Sequence, residues 1–313
     1  MFKWSPSALA EFYESPAHYE SKYILKESEE TDSMRLGTAM HMAILEPKKF
    51  QETYIEKIEA PQGTLVTGDD MKSACKEMGL KQSGTKSEMK ERLQEKTTEL
   101  ACKPFVFYDE WLLQYAKGRE LLTPKELTAC NRIVKRIQDN SKLRFMVNDG
   151  QAELAAWWIH ERTKTVVSMR MDYVKDFPQP LMINGIAYDG VIIDVKKVPK
   201  KKTKLRPFQQ LLWDRYLFLA AALYVDGMEQ ITGKKYMFLW VAAEDSPPYP
   251  VQGFPADFGL LEAGRNEYNK SIDELIKCKE ANDWPCYSVD FSTATLPKYA
   301  WEQLEVRDEE SGS

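Results

Sequence analysis

Cysteine pairs, long apolar runs and net basic charge are what this 313-residue chain has little of, and each shortage removes a class of function. The five cysteines, at positions 75, 102, 130, 278 and 286, form no C-x-x-C pair and no zinc-type spacing. An odd count in a chain of this size argues against a disulfide framework and fits a reduced, cytosolic setting. No apolar run reaches membrane-spanning length, and the longest, around Leu217 to Val225, is far too short. No apolar signal core follows Met1-Phe2-Lys3-Trp4-Ser5-Pro6 either. The expectation is a soluble cytoplasmic protein with no membrane partner. The formal charge of −5 excludes a wholly basic nucleic-acid coat but leaves room for local basic patches.

What is present suffices for a large folded core. Hydrophobic residues make up 43% and aromatics 12% of the chain, so global disorder is excluded. The length suits one large domain carrying an insertion. Acidic residues gather at Glu27 to Asp32 and in a tail, residues 307–313, both expected to be solvated, the tail disordered. The remaining chain divides into residues 1–60, a compositionally distinct insert at 61–100, and 101–306.

Ser5-Pro6-Ser7 starts a capped helix and Ser15-Pro16 a second short one. Arg35 to Leu45 reads as a helix bearing His41, ended by Pro47, and residues 121–142 as another with a Thr123-Pro124-Lys125-Glu126 start. Leu154 to His160 and Val166 to Val174 read as a hairpin, followed by a loop containing Pro178 and Pro180. Phe208 to Asp226 reads as one long apolar helix, Tyr236 to Ala242 as a buried strand and Leu260 to Ala281 as an amphipathic helix. The order implies an α/β fold with a central mixed sheet flanked by helices.

Chemistry concentrates in Val191-Ile192-Ile193-Asp194-Val195-Lys196-Lys197-Val198. A run this rich in valine and isoleucine is a buried strand, on which Asp194 and Lys196 share one face while Ile193 and Val195 enter the core. A carboxylate beside an ammonium is either a structural ion pair or half of a metal-dependent phosphodiesterase site. In the preceding strand Ser168, Arg170 and Asp172 share a face, with Val167, Met169, Met171 and Tyr173 on the other. Neighbouring strands would bring Asp172 and Asp194 to one cation, as Mg²⁺ prefers: a couple of carboxylates plus waters and substrate phosphate. Glu153 is a further ligand candidate or a charged strand start. His41 is a packing residue or a nitrogen ligand.

These pieces, in order, resemble the RecE-type (exonuclease VIII-like) members of the PD-(D/E)XK nucleases. The resemblance runs through Ser5-x-Ser7, Ser15-Pro16-x-x-Tyr19, Gly37-Thr38-Ala39-Met40-His41, Leu45-Glu46-Pro47 and Phe50. It continues through Glu153, Arg170-x-Asp172, Asp194-x-Lys196, Trp284-Pro285-Cys286-Tyr287-Ser288 and Leu296-Pro297. It implies a restriction-endonuclease-like core. His41, Asp172, Asp194 and the Val195 carbonyl become metal ligands, and Lys196 becomes the catalytic lysine, with Glu153 beside them. It implies Mg²⁺, replaceable by Mn²⁺, and 5′→3′ resection of double-stranded DNA ends for phage-type recombination in a bacterial cytoplasm. It also implies a ring-shaped homo-oligomer and a single-strand annealing (RecT-like) partner. Two departures stand out: Lys197 replaces a small hydroxyl residue, and Ala220 replaces a glutamine between Tyr216 and Tyr224.

The insert resembles a SAP module, a small helical DNA binder. Leu65 to Gly79 reads as a first helix, and Ser83-Gly84-Thr85 turns into a second. Met71, Ala74, Cys75, Met78, Leu80, Met89 and Leu93 would form a miniature core. By that similarity Lys81, Ser83, Gly84, Thr85, Lys86 and Lys90 contact duplex phosphates; the plain alternative is a helical hairpin with a solvated charged face. Arg170 and the basic loop Lys200, Lys201 and Lys202 beside the catalytic strand are further DNA-contact candidates. Two alternatives to the exonuclease stay open: a structure-specific or single-strand nuclease, and a DNA-binding scaffold with a decayed site.

Overall fold

The computed structural model describes residues 5–27, 32–287, 291 and 293–295. Ser288, Leu296, Pro297 and the acidic 307–313 tail lie outside the described residues, as does most of the 27–32 acidic stretch. The amino-terminal part contains helices α1 (Pro6–Glu14) and α2 (Pro16–Tyr19) and a π-helical turn, Glu20–Leu25. Helices α3 (Asp32–Leu45) and α4 (Pro47–Thr53) and strand β1 (Tyr54–Glu56) follow. The insert holds β2 (Thr64–Leu65), α5 (Gly68–Glu77), α6 (Lys86–Glu99) and β3 (Val106–Phe107). Then come α7 (Tyr108–Ala116), β4 (Glu120–Leu122), α8 (Pro124–Asp139) and α9 (Ser141–Val147). The rest is β5 (Gln151–Ile159), β6 (Val166–Ile183), β7 (Ile186–Val198), α10 (Leu205–Asp214), α11 (Leu217–Thr232), β8 (Tyr236–Glu244), β9 (Val251–Pro255) and α12 (Phe258–Ala281).

Strands β5 to β9 form one sheet in sequential order, antiparallel except for the parallel β7–β8 pair. The parallel step needs a crossover, which α10 and α11 supply on one face. Alternation along β7 and β8 divides the core in two. Ile192, Phe238, Trp240 and Ala242 pack with α1, α10, α11 and α12. Val191, Ile193, Val195, Met237, Leu239 and Val241 pack with α3, α8 and α9. Every residue of β8 is buried, as expected of a strand covered on both faces. Among the described residues no helix is long and apolar enough to cross a membrane.

Two expectations need correction. The segment with Pro178 and Pro180 is part of the long strand β6, which turns into β7 through Asn184 and Gly185, both at positive φ (50° and 79°). Asn-Gly is the residue pair such a tight hairpin requires. The β6–β7 register shifts between Asp176 and Leu181, and both prolines, which lack an N–H to donate, lie in that interval. The single helix expected at 208–226 is two, because Tyr216 sits at φ 50° between α10 and α11. Strand β9, at five residues, is too short to show a period in the sequence.

The insert folds as a helical hairpin around its own core of Leu65, Met71, Ala74, Cys75, Met89, Leu93 and Phe107, with Met78 and Leu80 alongside. Thr67 and Thr85 both form capping boxes, with Asp70 and Glu88. Because β2 pairs with β3 and Phe107 is part of the core, the unit extends past residue 100 to Phe107.

Candidate metal and catalytic site

The site forms where two strands part. The β6–β7 ladder ends at Tyr173–Ile193, so Asp172 and Asp194, the next opposed residues, are not bonded through their backbones. The Val195 N–H donates instead to the Asp172 carboxylate, at 2.8 Å. Strand β5 responds at the same level: the pairs Ala152–Tyr173 and Leu154–Met171 flank Glu153, which is unpaired and has φ 52°. Both strands change faces there. Leu154, Val167, Met169 and Met171 pack in the first core, whereas Ala152 and Tyr173 pack in the second. Tyr173 is therefore not on the face of Met169 and Met171 that strict alternation assigns it. A left-handed residue in a strand costs on the order of 1 kcal/mol or more and marks a position held by its surroundings.

Asp194 and Lys196 lie on one face of β7, as expected, with Lys196 Nζ donating to Asp194 Oδ1 at 2.7 Å. Helix α3 brings His41 Nδ1 to 3.3 Å from Asp172 Oδ2. Burial, then the charge of Asp194, pushes the Asp172 carboxyl up to about 6. Burial opposes charge on Lys196 too, but the Asp194 and Asp172 carboxylates outweigh it and hold its pKa above the ordinary lysine value. At neutral pH Lys196 is a cation: a hydrogen-bond donor and charge stabiliser, not a base. Tyr224, on α11, donates its hydroxyl to the Arg170 carbonyl at 3.0 Å. Burial and then the site's carboxylates raise its pKa, so it stays protonated.

The remaining expected residues are dispersed. Glu153 Oε2 accepts from Arg170 Nε at 2.5 Å, and the Arg170 side chain is 74% exposed. Beyond β7, Lys200 and Lys201 are exposed and Lys202 half-buried. Their loop is anchored by Glu244, a buried carboxylate that accepts the Thr203 hydroxyl at 2.7 Å. In the insert Lys81, Ser83, Gly84, Thr85 and Lys86 are exposed. Arg92 donates to the carbonyls of Lys81 and Ser83 and braces that turn. Two details disagree with a simple phosphate-binding picture. Lys90 is half-buried and bound by Asp109 and Glu110 at 2.6 and 3.0 Å, and the Thr85 N–H is taken by Glu88. Sequence reasoning missed the Glu244 anchor, an isolated acid at the end of a buried strand.

The donor set suits a hard divalent cation in kind. Buried carboxylates that repel one another are what such an ion relieves, and Mg²⁺ needs only one or two of them besides water and phosphate. Among the described residues no three His, Cys, Asp or Glu side chains form a closed metal-binding group. Asp172 and Asp194 would hold the ion, with His41 and the Val195 carbonyl alongside.

A helix-flanked mixed sheet with opposed aspartates at a strand splay, one within Asp-x-Lys, defines the PD-(D/E)XK nuclease class. The chain belongs to the family described as PDDEXK-like domain of unknown function (DUF3799), whose profile matches residues 5–294. A solved structure from Eubacterium rectale, described as a "Putative exonuclease", is similar in fold: TM-score 0.53 at 13% identity, over 96% of this chain and 92% of that one. A second, SSO0001, has a TM-score of 0.26 at 11% identity over 78% of this chain and 86% of its own, too low to carry an argument. No curated protein matches the chain.

Proposed function

We propose that the protein is a Mg²⁺-dependent DNA exonuclease of the RecE type, with Mn²⁺ able to substitute. It degrades linear duplex ends 5′→3′ and leaves single-stranded overhangs for recombination. The observation that carries this reading is the convergence of Asp172, Asp194 and a charged Lys196 at one strand splay. A bound Mg²⁺ would polarise the scissile phosphate and favour deprotonation of the attacking water. Lys196, fixed by Asp194, donates to that water or to a phosphate oxygen and offsets the charge that builds on the pentacovalent phosphorus. Val195 N–H and His41 fix the orientation of the Asp172 carboxylate. Tyr224 ties α11 to the Arg170 backbone and keeps that helix against the site.

The insert is read as a SAP-like duplex-binding unit, supported by its hairpin with an independent core and by exposed Lys81 and Lys86. A ring-shaped oligomer, an annealing partner protein and a bacterial cytoplasmic setting follow from the RecE resemblance. Ala220 supplies no polar group to a bound strand, which favours a structure-specific or single-strand nuclease as the second reading. Digestion of end-labelled linear and closed circular duplex with Mg²⁺ tests both. Linear DNA should shorten from its 5′ ends while circles persist, and Asp194→Ala and Lys196→Ala should be inactive. Intact linear duplex, or variants that cut like wild type, would overturn the proposal; cutting restricted to single strands would select the second reading.

A further inference from the structure

Trp157 lies open on the sheet, 61% exposed. An exposed tryptophan alone means little; its setting is what carries information. Leu154, Ala156 and Trp158 of β5 and Val167, Met169 and Met171 of β6 pack into the first core. Alternation therefore turns Ala155, Trp157 and Ile159, with the opposed Ser168 and Arg170, to the other face. The second core, with α3, α8 and α9, takes up Ala152 and Tyr173 but, among the described residues, nothing between them and the β5–β6 turn. The result is an open ledge, bounded on one side by the sheet edge at β5.

The ledge ends at the candidate site. Trp157 is opposed to Ser168, and Asp172 follows on that strand about 13 Å further along at the usual rise per residue. A stacked nucleic-acid strand covers that distance in a few nucleotides, at roughly 3.4 Å each. Arg170 is the diagonal neighbour of Trp157, about 7–8 Å away between backbones and within reach of a long side chain. Its Nε is held by Glu153, while its terminal nitrogens make no hydrogen bond among the described residues and 74% of the side chain is exposed. A bare aromatic face beside unused guanidinium donors suits a base and its phosphate. The rest of the apolar ledge, Ile159 and half-buried Val166, is too small for a protein partner, whose stable interface takes about 800 Å² from each side. We propose that Trp157 is a stacking platform for an unpaired base of the nucleic-acid strand that runs to Asp172 and Asp194, with Arg170 on that nucleotide's phosphate. This rests on the substrate being nucleic acid, as proposed above, and adds a single-stranded segment to what the protein recognises. Stacking reads no sequence, since every base has an aromatic face.

The test is equilibrium binding of a short fluorescently labelled DNA single strand, and of the same sugar-phosphate chain without bases, in EDTA over a series of salt concentrations. Wild type, Trp157→Ala, Trp157→Phe, Arg170→Gln and Phe258→Ala are compared; Phe258 is a comparably exposed aromatic, at 70%, on α12 beyond the first core. Trp157→Ala should weaken binding of the base-bearing strand about 5-fold or more, the scale for one stacked base, and leave the slope of log affinity against log salt unchanged. Trp157→Phe should recover most of the loss. Arg170→Gln should flatten the slope by about 0.7, one phosphate contact on a single strand. The baseless chain should bind Trp157→Ala and wild type alike, and Phe258→Ala should match wild type throughout. Equal unfolding midpoints exclude a folding defect at these exposed positions. Unchanged affinity in Trp157→Ala, an equal loss on the baseless chain or in Phe258→Ala, an unflattened slope in Arg170→Gln, or no measurable single-strand binding by wild type overturns the proposal. A lower oligomeric mass of Trp157→Ala in sedimentation would assign the ledge to a second copy of the chain and overturn it too. Cleavage by wild type is scored separately. A base-dependent loss in Trp157→Ala of a protein that does not cut keeps the platform and removes the nuclease. Cutting by a protein whose single-strand affinity ignores Trp157 does the reverse.

Discussion

The Val195 N–H donates to the Asp172 carboxylate at 2.8 Å at the level where the β6–β7 ladder has ended. A side chain takes the place of a backbone acceptor, and the strands can part without leaving a buried N–H unpaired. The gap receives Asp172, Asp194 and Lys196 from two strands and His41 from a helix. Every part of the candidate chemistry depends on that exchange.

Lys196→Met removes the ammonium and keeps most of the side chain's volume. Cleavage of linear duplex should fall by roughly 10²-fold or more, the scale for losing one transition-state charge stabiliser. DNA binding in EDTA should stay within about 3-fold of wild type, because the strand is held by other cations. Anisotropy and end-label release, measured on one preparation, separate the two effects.

Asp172→Asn removes one of two mutually repelling carboxylates and keeps an oxygen for the Val195 N–H. In EDTA near pH 7.5 the variant should be more stable than wild type by about 1 kcal/mol, the usual direction at a site strained for function. Mg²⁺ should raise the unfolding midpoint of wild type and not of the variant, since a ligand stabilises only the state that binds it. Urea titrations with and without Mg²⁺ give both numbers.

In the insert, Leu93 is fully buried within the hairpin's own core. Leu93→Ala should cost that unit about 2–5 kcal/mol. Limited proteolysis should then cut within residues 63–107 first and leave the rest of the chain resistant. Duplex affinity at moderate salt should drop, while the Asp194- and Lys196-dependent cleavage chemistry survives.

Gly264 lies on α12 where that helix meets α11. A Cβ there would meet the Phe218 backbone carbonyl and lie 2.9 Å from Ala222 Cβ. Backbone cannot yield as a side chain can, so Gly264→Ala should destabilise by about 1–3 kcal/mol despite alanine's better helix propensity. Chemical denaturation would read the loss, and a neutral or stabilised variant would contradict the close helix contact.

Asp176 accepts from Lys234 Nζ at 2.5 Å and the Tyr236 hydroxyl at 2.6 Å, and these bonds, that from Lys234 foremost, hold its carboxyl below the usual range. A depressed folded-state pKa gives stability that is fully present above the unfolded value, near 3.8, and is lost as pH falls through the folded one. Asp176→Asn should cost under about 1 kcal/mol at pH 7, since half the side chain is open to solvent, and progressively less at acidic pH. Unfolding at a series of pH values checks that convergence.

The sequence by itself determined the local elements and what they carry. Period-2 alternation placed Asp194 and Lys196 on one face of a buried strand. Cap residues marked the starts at Ser5, Thr85 and Thr123, and apolar spacing selected the insert's core apart from Leu65 and Phe107. Those features depend on near neighbours in the chain, so a reader of residues can find them. Only the tertiary structure decided the rest. The face change at Glu153 and Asp172 needs a left-handed backbone that no residue-level preference favours. Strand β6 continues through Pro178 and Pro180 because its ladder is interrupted there. The break at Tyr216 is held by Glu14 and Tyr13, some two hundred residues away in the chain. Local chemistry wrote the groups; long-range packing chose which of them meet.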